Sequence, residues 1–449
     1  MPNHRSAIIN ALIVNEGRQY KGYVVIDGQF ISAVAEGSPE PSILEGVNEV
    51  IDAKGMLLIP GAIDDQVHFR DPGLTHKADI DTESHAAIAG GVTSFMDMPN
   101  TKPPTVTIDD LKAKQHRAAD VSIANYSFYI GATNDNLDTL LKVDYTEVPG
   151  VKIFLGSSTG NMLVDNEQTL NDIFSRVHAL IAVHSEDEAT IKANRERIVA
   201  EYNGDPAAVP ITRHSDIRSR QACAISTRRA IDRAQKTGAR LHVLHVSTLD
   251  EVEMMTPGDD VEHKQITAEG CVHHLWFTDA DYERLGTRIK WNPSVKTAAD
   301  RDALRQAVLD GRIDIVATDH APHLLSEKEG GALTAASGGP MVQFSVTTML
   351  EMFPPTTVVD KMCHKPARLF GVDRRGFIRT GYYADLALIE TKVDYEVTDA
   401  MVISRCGWTP LNGTHLHNRV VTTWVNGHKA FEHGTFSKES AAMPLKFNK

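Results

Sequence analysis

Eight apolar runs of strand length, each trailed by a loop and in most cases a helix-like segment, occupy the middle of the chain, and strand-rich texture is confined to its two ends. These two observations predict an α/β fold: a (β/α)8 TIM barrel with a small composite β-sandwich built from the N- and C-terminal segments. The length of 449 residues suits that plan, exceeding a barrel of roughly 250 residues by enough for an accessory domain. The expected division is 1–56 with 376–449 for the β-domain and 57–375 for the barrel.

Residues 1 to 56 read as short strands and turns: "SAIINALIVN", "KGYVVIDGQFISAVA" with an Asp27-Gly28 hairpin signal, and "NEVIDAKGMLL". The eight barrel runs follow: "LLIPGAIDDQVHFR", "GVTSFMDMPN", "VSIANYSFYIGA", "GVKIFLGSS", "ALIAVHSED", "RLHVLHVST", "VEHKQITAE" and "IDIVATDHAPH". Between them, "DIDTESHAAIAGG", "TIDDLKAKQHRAAD" and "SRQACAISTRRAIDRAQKTGAR" have helical character, and two of the three run into a glycine stop. Strands return in "GFIRTGYYADLALIE" and in "RVVTTWVNGHKAFEHG", with a turn at Asn426-Gly427. The Gly- and Ser-rich stretch 324–340, "LLSEKEGGALTAASGGP", has little core pattern and suits a mobile loop over a site.

Composition narrows the function. With 42% hydrophobic and 23% charged residues the chain is an ordinary globular protein, and a formal net charge of −13 argues against broad nucleic-acid or anionic-membrane binding. The four cysteines, Cys223, Cys271, Cys363 and Cys406, form no CxxC pair, so neither a disulfide framework nor a thiolate zinc site is expected. Neither a signal-peptide core nor a membrane-length apolar run is evident, and the expected location is the cytoplasm.

Chemistry collects at the strand ends. In "IPGAIDDQVHFRDPG" (59–73), Asp64, Gln66, His68 and Arg70 share one parity and would share one face of a strand. Asn100 follows the second strand, Lys152 lies in the fourth, His184 ends the fifth, His245 the sixth, and Asp319 the eighth, with His320 and His323 just beyond. One such residue is ordinary, since a lone strand-end histidine is usually structural and a strand-end aspartate is often a helix cap. Their coincidence at the end where barrel strands converge points to a metal site. Imidazole and carboxylate donors without thiolate suit Zn²⁺ or a similar divalent ion. A lysine inside an apolar strand must be paired, displaced or chemically altered. As a CO2 adduct, a carbamate, it would become an anionic bridge between two metals. Hydroxide activated by such metals attacks amides, with Asp319 as ligand and proton shuttle. Arg70 and Asn100 would bind a carboxylate beside it.

In these residues the chain resembles the amidohydrolase superfamily, and within it the dihydroorotases of class I type. The motifs are "HFRDPG" (68–73), "MPNT" (98–101), "VKIFLG" (151–156), "VHSED" (183–187), "HVLHVST" (242–248), "ITAEGCVHHL" (266–275), "WNPSVK" (291–296) and "ATDHAPH" (317–323), in the family's order across the whole barrel. The resemblance implies reversible cyclisation of N-carbamoyl-L-aspartate to dihydroorotate in pyrimidine synthesis. It implies that His68 holds one Zn²⁺, that Lys152 bridges as a carbamate, and that His184 and His245 hold a second. Asp319 would be ligand and acid/base. Arg70, Asn100 and His323 would grip the substrate carboxylate, Asn292 would touch the ring, and Gly339-Pro340 would pack over it. The family's habit also implies a homodimer, in some members associated with aspartate transcarbamoylase. One departure stands out: the usual His-x-His is Gln66-Val67-His68, so either the first metal site is weak, since an amide oxygen is a poorer zinc ligand than imidazole, or Gln66 only hydrogen-bonds nearby. Two rival readings follow, another cyclic amidase (an allantoinase or hydantoinase) and a silent homologue that serves as a structural partner.

Overall fold

The computed structural model describes residues 4–156 and 162–448. Eight parallel strand positions are present in the expected order: Ala62–Val67, Val92–Asp97, Asn125–Phe128 continuing as Ile130–Gly131, Val151–Phe154, Ile181–His184, Leu241–Val243, Ile266–Cys271 and Ile315–Ala317. The first three pair in one ladder and Ile130–Gly131 through the eighth in another. The chain joins the two ladders directly at Tyr129, which interrupts the third strand. A parallel bridge from Val67 to His320, with His68 N donating to His320 O at 2.7 Å, brings the eighth strand back to the first. Nearly every residue in these strands is buried, as expected where a sheet is covered on both faces.

The helices begin and end where local chemistry dictates. Ile108–Val121 starts from a capping box, in which Thr107 Oγ1 accepts from Asp110 N (3.1 Å) and Asp110 Oδ2 accepts from Thr107 N (3.0 Å). Arg220–Thr237 starts at Ser219 and stops at Gly238, whose φ of +79° is the left-handed conformation of a helix-ending glycine.

The two ends of the chain meet in one sheet of nine strands. Leu386–Glu396 pairs antiparallel with Leu57–Pro60, which itself pairs with Arg5–Asn15. The first apolar run of the barrel is therefore two strands: Leu57–Pro60 belongs to the terminal sheet, Gly61 breaks the run, and Ala62–Val67 enters the barrel. Asn426 (φ +49°) and Gly427 (φ +76°) form the expected tight turn between His415–Val425 and His428–Glu432. Among the described residues, no helix is long and apolar enough to cross a membrane.

Candidate active site

The C-terminal ends of the strands carry the residues in question. Lys152 lies within the fourth strand and His184 closes the fifth, while His68, His245 and Asp319 sit one or two residues past the ends of the first, sixth and eighth. Arg70 (φ +67°), His245 (φ +39°) and Asp319 (φ +45°) all have left-handed backbone. Such conformations cost on the order of 1–3 kcal/mol each and persist where surrounding structure enforces them, often at functional sites.

The donors form two pairs. In the first, His68 Nε2 lies 3.0 Å from Asp319 Oδ1, and Gln66 Nε2 donates to the same oxygen at 3.2 Å. Nδ1 of His68 is held by Asn100 Oδ1 at 2.8 Å. The amide of Gln66 must present its nitrogen here, because its oxygen would repel the carboxylate. In the second pair, His184 Nδ1 lies 3.0 Å from His245 Nε2. The other nitrogen of His184 is 2.9 Å from Glu186 Oε2, and Glu186 is in turn bonded by Arg218. Carboxylate support of this kind orients a metal-binding imidazole. Burial holds the pKa of His184 below its ordinary value despite Glu186, and pushes His245 well below, helped by His184 and Lys152. Both rings are therefore neutral at neutral pH, the form that ligates metals.

Lys152 is 1% exposed, and its Nζ stands 4.8 Å from the centre of the Phe154 ring. Burial lowers its pKa from 10.5 to about 8, while Asp319 and Glu269 oppose the fall. It couples electrostatically to Asp319 on one side and to His184 and His245 on the other.

Beyond the first pair lies a cationic cluster. Arg70 Nη2 is 3.1 Å from His323 Nε2, and Lys77 Nζ is 3.1 Å from His323 Nδ1. Lys77 also meets Glu327 at 2.7 Å. Burial, then the charges of Arg70 and Lys77, holds the imidazole of His323 neutral, its pKa far below the ordinary value. Asp319 is among the charges Arg70 feels. Gly339 passes so close to Trp291 that a Cβ would stand 2.8 Å from its ring, and Trp408 Nε1 donates to His323 O at 2.7 Å. Asn292 and Pro340 thereby join this neighbourhood through their chain neighbours, and Asn292 Oδ1 is buried without a hydrogen-bond partner among the described residues.

Three features differ from the sequence expectation. Asp64 leaves the row of like-parity residues. It accepts from Thr318 N at 3.2 Å and from Thr318 Oγ1 at 2.5 Å, because pairing along the first strand shifts register between Asp64 and Val67 and alternation fails there. The stretch 324–340, expected to be a mobile loop, is pinned down. Lys328 Nζ donates to Ala336 O (2.8 Å), Gly338 O (2.6 Å) and Lys290 O (3.2 Å), and Ala321 N to Gly339 O (3.0 Å). Nothing in the sequence distinguishes Lys77, Glu186, Arg218 and Glu327 from ordinary charged residues; their roles rest on contacts that only the fold creates. A cavity of about 590 Å3 lined in part by Arg240, Phe370, Arg375 and Tyr382 shares no residue with the site.

The chain is 31% identical over 445 residues to a dihydroorotase of Lactobacillus johnsonii, spanning 96% of this chain and 99% of that protein. It is 35% identical over 381 residues to a dihydroorotase of Methanosarcina mazei, covering 81% of each. Among solved structures, the L-hydantoinase (dihydropyrimidinase) of Arthrobacter aurescens superposes with a TM-score of 0.89 at 25% identity, over 98% of this chain and 99% of that one. Residues 57–430 match the amidohydrolase family. A match that spans the whole barrel makes this chain a member of the amidohydrolase family.

Proposed function

We propose that this protein is a dihydroorotase, which closes N-carbamoyl-L-aspartate to (S)-dihydroorotate and reopens it in de novo pyrimidine (UMP) synthesis. The observation that carries this reading is the buried guanidinium of Arg70 beside His323 and Lys77, within electrostatic reach of Asp319. Arg70 and Lys77 against Glu327 leave one net positive charge, which matches the carboxylate that dihydroorotate carries and simple hydantoins lack. The names of the curated relatives support the same reading.

The donor set fits a divalent metal, with Zn²⁺ the chemical first choice. His184 and His245 would hold one ion, and His68 with Asp319 a second, weaker one. Lys152 as its carbamate would stand between them. Two observations support the fit: His245 Nδ1 and Gln66 Oε1 are buried without hydrogen-bond partners among the described residues, and the Lys152 pKa of about 8 leaves far more neutral amine to capture CO2 than an ordinary lysine has. When bound, the metal supplies Lewis acidity and an activated water at neutral pH. The residues of the chain do the rest. Arg70, Lys77 and His323 orient the substrate carboxylate. Gln66 and His68 fix Oδ1 of Asp319, which sets the direction in which that carboxylate exchanges a proton. In ring opening, water adds to the amide carbonyl, the C–N bond breaks, and Asp319 delivers the proton to the departing nitrogen; cyclisation reverses these steps with loss of water. The same reading makes the protein a cytoplasmic homodimer.

The test is cyclisation of N-carbamoyl-L-aspartate and its reverse by zinc-replete protein, followed by ultraviolet absorbance. Turnover in both directions is expected. The hydantoinase neighbour motivates a second reading, for which dihydrouracil, hydantoin and allantoin are assayed alongside. Preference for any of these over dihydroorotate would overturn the proposal.

A further inference from the structure

Deeper in the barrel lies a cluster that the hydrolytic reaction does not use. Asp65 on the first strand and His242 on the sixth each sit three residues before a proposed active-site ligand just past the end of that strand, His68 and His245, and Glu269 joins them from the seventh. All three are 0% exposed. His242 Nε2 stands 3.5 Å from Asp65 Oδ2 and 3.9 Å from Glu269 Oε2.

These groups face one another at ion-pair distance without a hydrogen bond between them. Both carboxylate oxygens of Asp65, Oε2 of Glu269 and Nε2 of His242 have no hydrogen-bond partner among the described residues, and neither has the buried hydroxyl of Tyr129, which feels the charges of Asp65 and Glu269. Buried polar atoms are almost always paired, so four unpaired side chains at one point require an occupant. His242 stands at ion-pair distance from both carboxylates, but 3.5 and 3.9 Å exceed hydrogen-bond length and leave these atoms without a bond.

The outer nitrogen of His242 indicates what fits. Nδ1 lies 2.8 Å from Thr267 Oγ1, and that hydroxyl has Leu241 O as its acceptor at 3.3 Å. The hydroxyl proton goes to the carbonyl, so Nδ1 carries a proton; with no ion present Asp65 and Glu269 outweigh burial and raise the imidazole pKa to about 9, so Nε2 is protonated as well. A cation seated between Nε2 and the two carboxylates would take that proton's place and accept the freed lone pair. Ligand bonds of about 2.0–2.2 Å at tetrahedral to trigonal angles separate neighbouring donor atoms by roughly 3.3–3.7 Å, close to the spacing found. A divalent ion would also balance the two carboxylate charges.

We propose that Asp65, His242 and Glu269 form a structural divalent-cation site inside the barrel, separate from the hydrolytic centre, with Zn²⁺ or a similar first-row ion as its occupant. Glu269 links the two levels, because its Oε1 accepts from His245 N at 2.9 Å. An ion on Oε2 thus braces the left-handed backbone that carries His245.

The test is elemental analysis and anomalous diffraction at the zinc edge on the full chain, expressed in zinc-supplemented medium so that the ion is present as the barrel folds. An anomalous peak bounded by Asp65, His242 and Glu269 is expected, apart from any peak at His184 and His245. Asp65→Asn should lose that peak and one metal equivalent per chain while keeping the outer one. An interior without anomalous signal while the outer site is loaded, meaning water or protons alone, would overturn the proposal, as would an interior peak unchanged in Asp65→Asn. The wild-type map decides the matter even where the variant fails to fold. Failure of the dihydroorotase reading would appear in the turnover assay and leave this map untouched.

Discussion

Removing Arg218 should cost this protein about 3–5 kcal/mol of stability and loosen the proposed metal site. Glu186 is 0% exposed, accepts from Arg218, and supports His184 Nε2 at 2.9 Å. Burial by itself would raise the pKa of Glu186, but Arg218 and His184 overcome it and bring the value from 4.5 to about 2. At 1.36 kcal/mol per pH unit that difference is about 3 kcal/mol. That figure belongs to all of the partners of Glu186 together; breaking a buried pair by removing one partner typically costs about 3–5 kcal/mol, which sets the scale for Arg218. The sign follows from the lowered pKa. The stabilisation is complete above pH 4.5, the unfolded value, and fades as pH falls toward 2. Arg218→Met is therefore expected to unfold at lower urea concentration than wild type at pH 7, by far-UV circular dichroism, with the gap closing in acid. Because His184 loses a fixed partner, zinc affinity measured against a chromophoric chelator should drop about 10–100-fold. The double variant Glu186→Gln/Arg218→Met should recover much of the stability. If Arg218→Met stays within about 0.5 kcal/mol of wild type, or the double variant is no better than the single, the buried pair does not support His184 as described.

Other outcomes follow from the same geometry. Asp319→Asn should abolish turnover with circular dichroism unchanged, and retained activity would remove it from proton transfer. Arg70→Ala and Lys77→Ala should each raise KM for dihydroorotate more than they lower kcat, as expected for groups that hold the carboxylate; an unchanged KM would undo that assignment. Gln66→Leu removes a charge-assisted hydrogen bond from Asp319 worth about 1.5–3 kcal/mol, so kcat should fall roughly 10-fold or more. Gln66→His should raise zinc stoichiometry if the first ion is under-ligated, and unchanged stoichiometry would mean that residue 66 serves Asp319 alone.

The sequence by itself determined the eight strand positions, their order and the end of the barrel on which chemistry collects, because burial on both faces demands continuous apolar runs and polar residues within or just after such runs are conspicuous. It also marked Lys152, since a charge in an apolar strand needs a reason. What it could not decide was which polar groups touch. Alternation placed Asp64 beside Gln66, yet a register shift in the first strand sends Asp64 to Thr318. Gln66 reads as a damaged metal ligand in one dimension and as a donor to Asp319 in three. Lys77 and Glu327 are 250 residues apart in sequence and meet at 2.7 Å, and Asp65 and Glu269, on the first and seventh barrel strands, flank the same His242 ring. Hydrophobic periodicity is a local property, legible along the chain; ion pairs and ligand sets are contacts between distant segments, and only barrel closure brings them within bonding distance.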